Sequence, residues 1–267
     1  MRKRKLSLLV SSIIFSLSSY AAGVITLEGN YQGKNLFVQN PFTGSGVGFC
    51  AFEVSINGQV STDELQSSAF EIDFTPYQLT IGDKVIVTIT HKDDCKPKVL
   101  NPEVLKSKST FEVVPNSMKV GMDGTLSWTT KAESGKLNFV VEQYRWNKWV
   151  KVGEVEGKGK PAAASYTVKV IPHSGENKFR VKQVDFSPQP RYSDPVKFRA
   201  VIPEVTFGPL KADKEILFSD ETMFEIFDMF GDIVKKGFGK AVEIGALKKG
   251  AYYINYDNKT GETFIKK

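Results

Sequence analysis

Histidine and cysteine are nearly missing from this sequence: two of each in 267 residues. His91 and His173 are all the chain offers as an imidazole base or soft metal ligand. His173 lies in Pro172-His-Ser-Gly175, which reads as a turn. His91 stands beside Lys92, Asp93 and Asp94, but calcium needs six or more oxygen ligands and this run supplies only two carboxylates, so a solvated turn is expected there. Gly-x-Ser-x-Gly, His-Glu-x-x-His and a phosphate-binding loop are all absent. Gly44-Ser-Gly-Val-Gly48 is rich in glycine, yet no helix follows it, so it reads as a flexible loop. Carboxylate pairs such as Glu53 with Asp63, or Glu71 with Asp73, have the chemistry of a glycosidase site, but nothing in the sequence sets them across a cleft. No catalytic residue, metal site or cofactor is expected, and the chain is read as a non-enzyme.

Long apolar runs are missing too, apart from one near the start. Met1-Arg-Lys-Arg-Lys5 precedes an apolar segment from Leu6 to Leu17, and Ser19-Tyr-Ala-Ala22 follows with small residues at Ser19 and Ala21. Basic, apolar and small-residue regions in that order predict a signal peptide over residues 1–21 and not a membrane span. The formal charge of the whole chain is +6. Removing the four basic residues of the signal leaves about +2, and Lys and Arg elsewhere alternate with Asp and Glu. No basic stripe remains, which excludes a nucleic-acid partner. The exported chain is expected to be soluble.

What the sequence does have is short alternating apolar segments, 12% aromatic residues and 22 glycines. The segments are too short for helices and are broken by Gly, Asp, Asn or Lys, so the fold class is all-β: three small antiparallel β-sandwich domains in series after the signal peptide. The first spans residues 22–105, with strands over Val24–Leu27, Asn35–Gln39, Phe49–Ile56, Phe70–Phe74 and Lys84–His91. Asn57-Gly58 predicts a two-residue hairpin, and Ile81-Gly-Asp83 a second turn. Cys50 begins one strand and Cys95 follows the end of another. In an exported chain this pair is expected to form a disulfide, stabilising the domain by roughly 4 kcal/mol in the chain-entropy model. Residues 101–111 read as a linker, since Pro102 disfavours helix at Asn101 and Lys106-Ser-Lys-Ser109 lacks apolar periodicity.

The second domain spans residues 110–200. It carries Leu126-Ser-Trp128, Phe139-Val-Val-Glu142, Trp149-Val-Lys-Val-Gly-Glu-Val155, the run from Gly175 to Asp185, and Arg191-Tyr-Ser-Asp194. On these it resembles a fibronectin type III domain, although Asn177 or Lys178 stands where that fold commonly has a tyrosine. Trp128 is expected in the core. Trp146 and Trp149 lie three apart in a hairpin, so at most one faces inward, and the other is read as an ordinary surface aromatic in preference to a sugar- or partner-contact residue.

The third domain spans residues 202–267. Tyr252, Ile254 and Tyr256 should share one face of a strand. On Phe224-Glu-Ile-Phe-Asp-Met-Phe-Gly231, on Val242-Glu-Ile-Gly-Ala-Leu-Lys-Lys-Gly-Ala-Tyr-Tyr253 and on Phe264-Ile-Lys-Lys267, it resembles the type A C-terminal sorting domain of the type IX (Por) secretion system of Bacteroidota. The motif residues are Gly231, Leu247, Gly250, Tyr252, Phe264, Lys266 and Lys267. Phe207-Gly-Pro-Leu210 stands where that family commonly opens with Pro-Asn-Pro. The resemblance implies an exported protein directed through the outer membrane, with translocon, shuttle or sortase proteins as partners. In that family a sortase often removes the domain and joins the cargo to surface lipopolysaccharide. Two functions follow as expectations. One is an envelope or cell-surface accessory component of that system, working through protein contacts. The alternative is a surface-anchored adhesin whose first domain binds a glycan or peptide.

Overall fold

A computed structural model describes residues 22–44, 47–187 and 189–267. The expected signal peptide lies outside the described residues, as do Ser45 and Gly46 of the glycine-rich loop. Among the described residues no helix is long and apolar enough to cross a membrane. The chain is all-β, and the contacts of its described residues divide it into two units: residues 22–28, 35–76 and 85–102, and residues 29–34, 77–84 and 103–267.

Seven strands begin the chain: β1 (Ala22–Asn30), β2 (Leu36–Gln39), β3 (Ala51–Ile56), β4 (Gln59–Val60), β5 (Ala69–Ile72), β6 (Lys84–Lys92) and β7 (Lys98–Val99). They form two sheets, β1-β6-β3-β4 and β5-β2-β7. The pattern of β6 shows why: Val85, Val87, Ile89 and His91 are buried, while the residues between them are not. A strand turns alternate side chains to opposite faces, and β-branched residues suit the packed face. Asn57 and Gly58 both have positive φ, +51° and +82°, the geometry of the tight hairpin between β3 and β4. Cys50 and Cys95 are joined in a disulfide with Cα atoms 5.8 Å apart. The bridge ties the start of β3 to the segment after β6, its neighbour in the sheet.

The linker expected at residues 101–111 is instead packed structure. Pro102–Leu105 forms a 3-10 turn with Leu105 buried, Phe111 is buried, and Lys108 pairs with Ser134. Proline, with its fixed φ, suits the first position of such a turn. Two isolated apolar residues are enough to anchor the segment, and isolated residues have no period to read.

The middle module contains β8 (Glu112–Val113), β9 (Lys119–Val120), β10 (Thr125–Lys131), β11 (Asn138–Arg145), β12 (Lys148–Glu156), β13 (Ala164–Lys169), β14 (Gly175–Gln183), β15 (Arg191–Tyr192) and β16 (Val196–Ala200). β8 and β9 flank β10, which pairs with β13; the second sheet runs β12-β11-β14, with β15 and β16 both on β14. This is a fibronectin-like sandwich layout. Its core is aromatic. Trp128 is buried, stacked on Tyr166 at 5.4 Å and edge-on to Phe139 at 5.9 Å. In place of a corner tyrosine, buried Asn177 accepts from His173 N–H at 3.0 Å and donates to the His173 carbonyl at 2.8 Å.

The C-terminal module contains β17 (Phe207–Gly208), β18 (Lys211–Ala212), β19 (Glu215–Phe227), β20 (Ile233–Glu243), β21 (Gly250–Tyr256) and β22 (Lys259–Lys266). The apolar runs Ile216–Phe218 and Met223–Phe227 lie on one strand, β19, with an irregularity between Leu217 and Thr222. β19 pairs with β20 on one side and with β17 and β21 on the other; β21 pairs with β22, and β22 runs parallel to β18. Tyr252, Ile254 and Tyr256 are all buried in the module's core beside Phe218, Phe224 and Phe264, while Tyr253 is exposed.

Candidate interaction site

Within the second unit, the middle and C-terminal modules meet through a buried polar junction. On one side is the β11–β12 hairpin, whose turn residues Trp146 and Asn147 have φ of +54° and +60°. On the other is the β21–β22 turn at Asp257. The indole N–H of Trp146 donates to the Asp257 carbonyl at 3.1 Å. The Asp257 carboxylate, 1% exposed, accepts from the Ser174 N–H at 2.8 Å, the Ser174 hydroxyl and the Val205 N–H at 3.2 Å. Its own N–H donates to Thr222 Oγ1 at 3.0 Å, and Asn258 Nδ2 donates to the Ser174 carbonyl at 3.2 Å. A buried carboxylate is tolerated only when its oxygens are met in this way.

Charge surrounds these bonds. Lys148 pairs with Glu225 at 2.7 Å. Arg145, 3% exposed, donates to the Ile171 carbonyl at 3.3 Å and lies over the Trp146 ring, 5.3 Å from its centre. Burial lowers its pKa to about 10, against the raising influence of Asp257 and Glu225, so it stays a cation at neutral pH. His173 is also buried, with Nδ1 2.7 Å from the Ser174 carbonyl. Burial holds its pKa below the ordinary histidine value, and the nearby Arg145 cation acts in the same direction, while the Ser174 carbonyl and Asp257 oppose them. As expected, no more than one of Trp146 and Trp149 is buried, and it is Trp146, which helps to form the junction. His173, expected in an ordinary turn, is buried there as well. Trp149 is half-buried, and its ring is covered by Arg180 at 4.1 Å, which also packs on Tyr192 at 4.0 Å.

The motif residues of the C-terminal module fall into different roles. Tyr252 and Phe264 stack in the core at 5.5 Å, and half-buried Leu247 packs against the same cluster. The Tyr252 hydroxyl donates to the Lys248 carbonyl at 2.8 Å. Lys266 is buried and pairs with Asp213 at 2.7 Å, which holds the Asp213 carboxyl below the usual carboxylate range. Lys267 is exposed, and its N–H donates to the Ala212 carbonyl at 2.9 Å. Gly231 has φ of +88° in the β19–β20 turn, and Gly250 has φ of +151° at the start of β21. The structure thus joins Leu247, Tyr252 and Phe264 in one core, sets Lys266 and Lys267 along β18, and leaves the two glycines in separate turns.

The remaining candidates have structural partners. His91 is buried in β6 and not in a solvated turn; its Nδ1 lies 2.8 Å from the Lys92 carbonyl, and its ring fills the space that a side chain at Gly23 would need. Glu71 and Asp73 both accept from the Asn35 amide, at 2.8 and 3.2 Å. Hydrogen bonds from Thr75 hold the Asp73 carboxyl below its usual range. Asp63 accepts from the Ser61 hydroxyl, and Glu53 lies exposed on β3. Among the described residues no group of three His, Cys, Asp or Glu is placed to hold a metal ion.

Neither the family models nor the curated proteins match this chain. Solved structures to which the chain is similar include a tetra-tandem repeat from the extending region of a large adhesion protein, at TM-score 0.31 and 10% identity, covering 92% of this chain and 73% of that one. Another is the BSP domain of a biofilm associated protein, at TM-score 0.21 and 9% identity, covering 93% and 63%. A third is the FN1–FN3 segment of chicken CNTN1, at TM-score 0.25 and 12% identity, covering 90% of each chain. None of the three decides what this chain does.

Proposed function

We propose that this is an exported, non-enzymatic envelope or cell-surface protein that works through protein contacts, as an accessory component of a type IX secretion system. In this reading its C-terminal sorting-type module stays attached as part of the working body. The observation that carries the reading is the junction at Asp257. A tail made for removal has no need of a buried carboxylate, an indole and a serine interlocked with the preceding module. The first domain's disulfide supports export, because such bonds persist in oxidising compartments.

The adhesin alternative shares this architecture and differs in the fate of the tail. Intact-mass measurement on the protein from its own cells tests the proposal: Lys267 is expected to be present. Loss of about 7 kDa together with a heterogeneous glycolipid adduct overturns it in favour of anchored cargo. Deletion gives the second readout. Loss of secretion of unrelated cargo supports the accessory role, whereas intact secretion with lost attachment supports the adhesin.

A further inference from the structure

β20 is an unusually open strand. Among the described residues it pairs with β19 alone, so its outer edge offers backbone donors and acceptors without a neighbouring strand. From Ile233 to Ala241 no side chain is buried. Lys236, Gly237 and Phe238 stand across from Glu225, Phe224 and Met223 of β19, and this ribbon forms one wall of a groove of about 880 Å³. The other wall comes from the middle module, chiefly Trp146, Val150 and Val152. β12, which carries both valines, is itself the last strand of its sheet.

The charge along β20 selects the occupant. Lys235, Lys236 and Lys240 have no ion pair among the described residues, and the two carboxylates lining the groove are already engaged, Glu225 by Lys148 and Glu154 by Lys151. Lysines on an edge strand commonly serve to stop copies of a protein from pairing. That same property makes a second copy the wrong occupant, since like charges set opposite each other in a ladder are destabilising. A strand bearing carboxylates reverses the sign. Apolar side chains alternating with those carboxylates would meet Phe238 and Val152.

We propose that the open edge of β20 and its groove take, by strand addition, an extended segment of a partner protein in which acidic and apolar residues alternate. This rests on the reading that the protein works through protein contacts, and it names the chemistry of one such partner.

The test uses residues 22–267 and two labelled synthetic peptides, one alternating valine with glutamate and the other valine with lysine. Binding is read by fluorescence anisotropy, and the site by amide hydrogen exchange. The valine–glutamate peptide is expected to bind and to slow exchange along β20. Lys235→Glu with Lys236→Glu, on an exposed strand where folding is checked by circular dichroism, should weaken binding about tenfold or more. Phe238→Ser should weaken it without changing its dependence on salt. Equal binding of the two peptides, protection elsewhere than β20, or no binding at millimolar peptide overturns the proposal. Protection of β20 that rises with protein concentration alone would assign the edge to a second copy and also overturn it. Any of these failures leaves the attached-tail reading intact, because that reading is judged by mass and deletion.

Discussion

The first unit is stapled covalently by Cys50–Cys95, whereas the C-terminal module contains no cysteine and is held by an aromatic core and by the polar junction at Asp257. A disulfide acts mainly by restricting the unfolded chain and asks little of its surroundings. A buried carboxylate asks for every neighbouring donor, and the cost of removing one partner falls on all that remain. The two regions should therefore respond to different insults: the first to reductant, the second to mutation and acid.

The largest effect is expected from reduction, or from Cys50→Ser with Cys95→Ser. The first unit should lose roughly 4 kcal/mol, seen as earlier cleavage within residues 35–102 in limited proteolysis while residues 103–267 keep their resistance. Equal loosening of both regions would erase the contrast. Next comes Asp257→Ala, which strands the Ser174 and Val205 donors in a buried site and should cost about 3 kcal/mol in denaturant unfolding, with no change in the reductant sensitivity of the first unit. Trp146→Phe keeps the ring and drops the indole N–H, so about 1 kcal/mol is expected by the same measurement.

The smallest effect is that of pH. His173 is held neutral by burial, with its folded pKa below the ordinary value. The unfolded chain therefore binds the proton more readily, and stability present above the unfolded value near 6.5 is lost as pH falls from there through the folded pKa. The groups facing the ring are Arg145, Asp257 and the carbonyls of Ser174 and Tyr144. A melting temperature that falls between pH 7.5 and pH 5, less so in His173→Gln, is the expected result. An equal fall in both proteins would assign the acid sensitivity elsewhere.

Local features were legible in the sequence, and long-range ones were not. The alternation from Val85 to His91 marks a half-buried strand, Asn57-Gly58 marks a hairpin, and Trp128 sits in the core where an apolar strand should place it. The irregularity between Leu217 and Thr222 has the look of a loop, since Ser219-Asp-Glu221 breaks the alternation while β19 continues through it. Ser174 and Asp257 are separated by 83 positions, and neither residue type in its turn announces a distant partner. Trp146 stands between Arg145 and Asn147 in a hairpin turn, and a turn position does not announce that its ring packs against another module. His91 stands in phase with Val85, Val87 and Ile89, so the alternation already turns it inward, whereas His173 lies between Pro172 and Ser174 in a turn, which conceals that its ring is enclosed.

The most direct test is to place a protease site in the exposed stretch 201–204, cut the folded protein there, and run it on a sizing column without denaturant. The account predicts that the two pieces travel as one species, and that Asp257→Ala lets them part. Separation of the pieces after cutting the otherwise unaltered protein would contradict it.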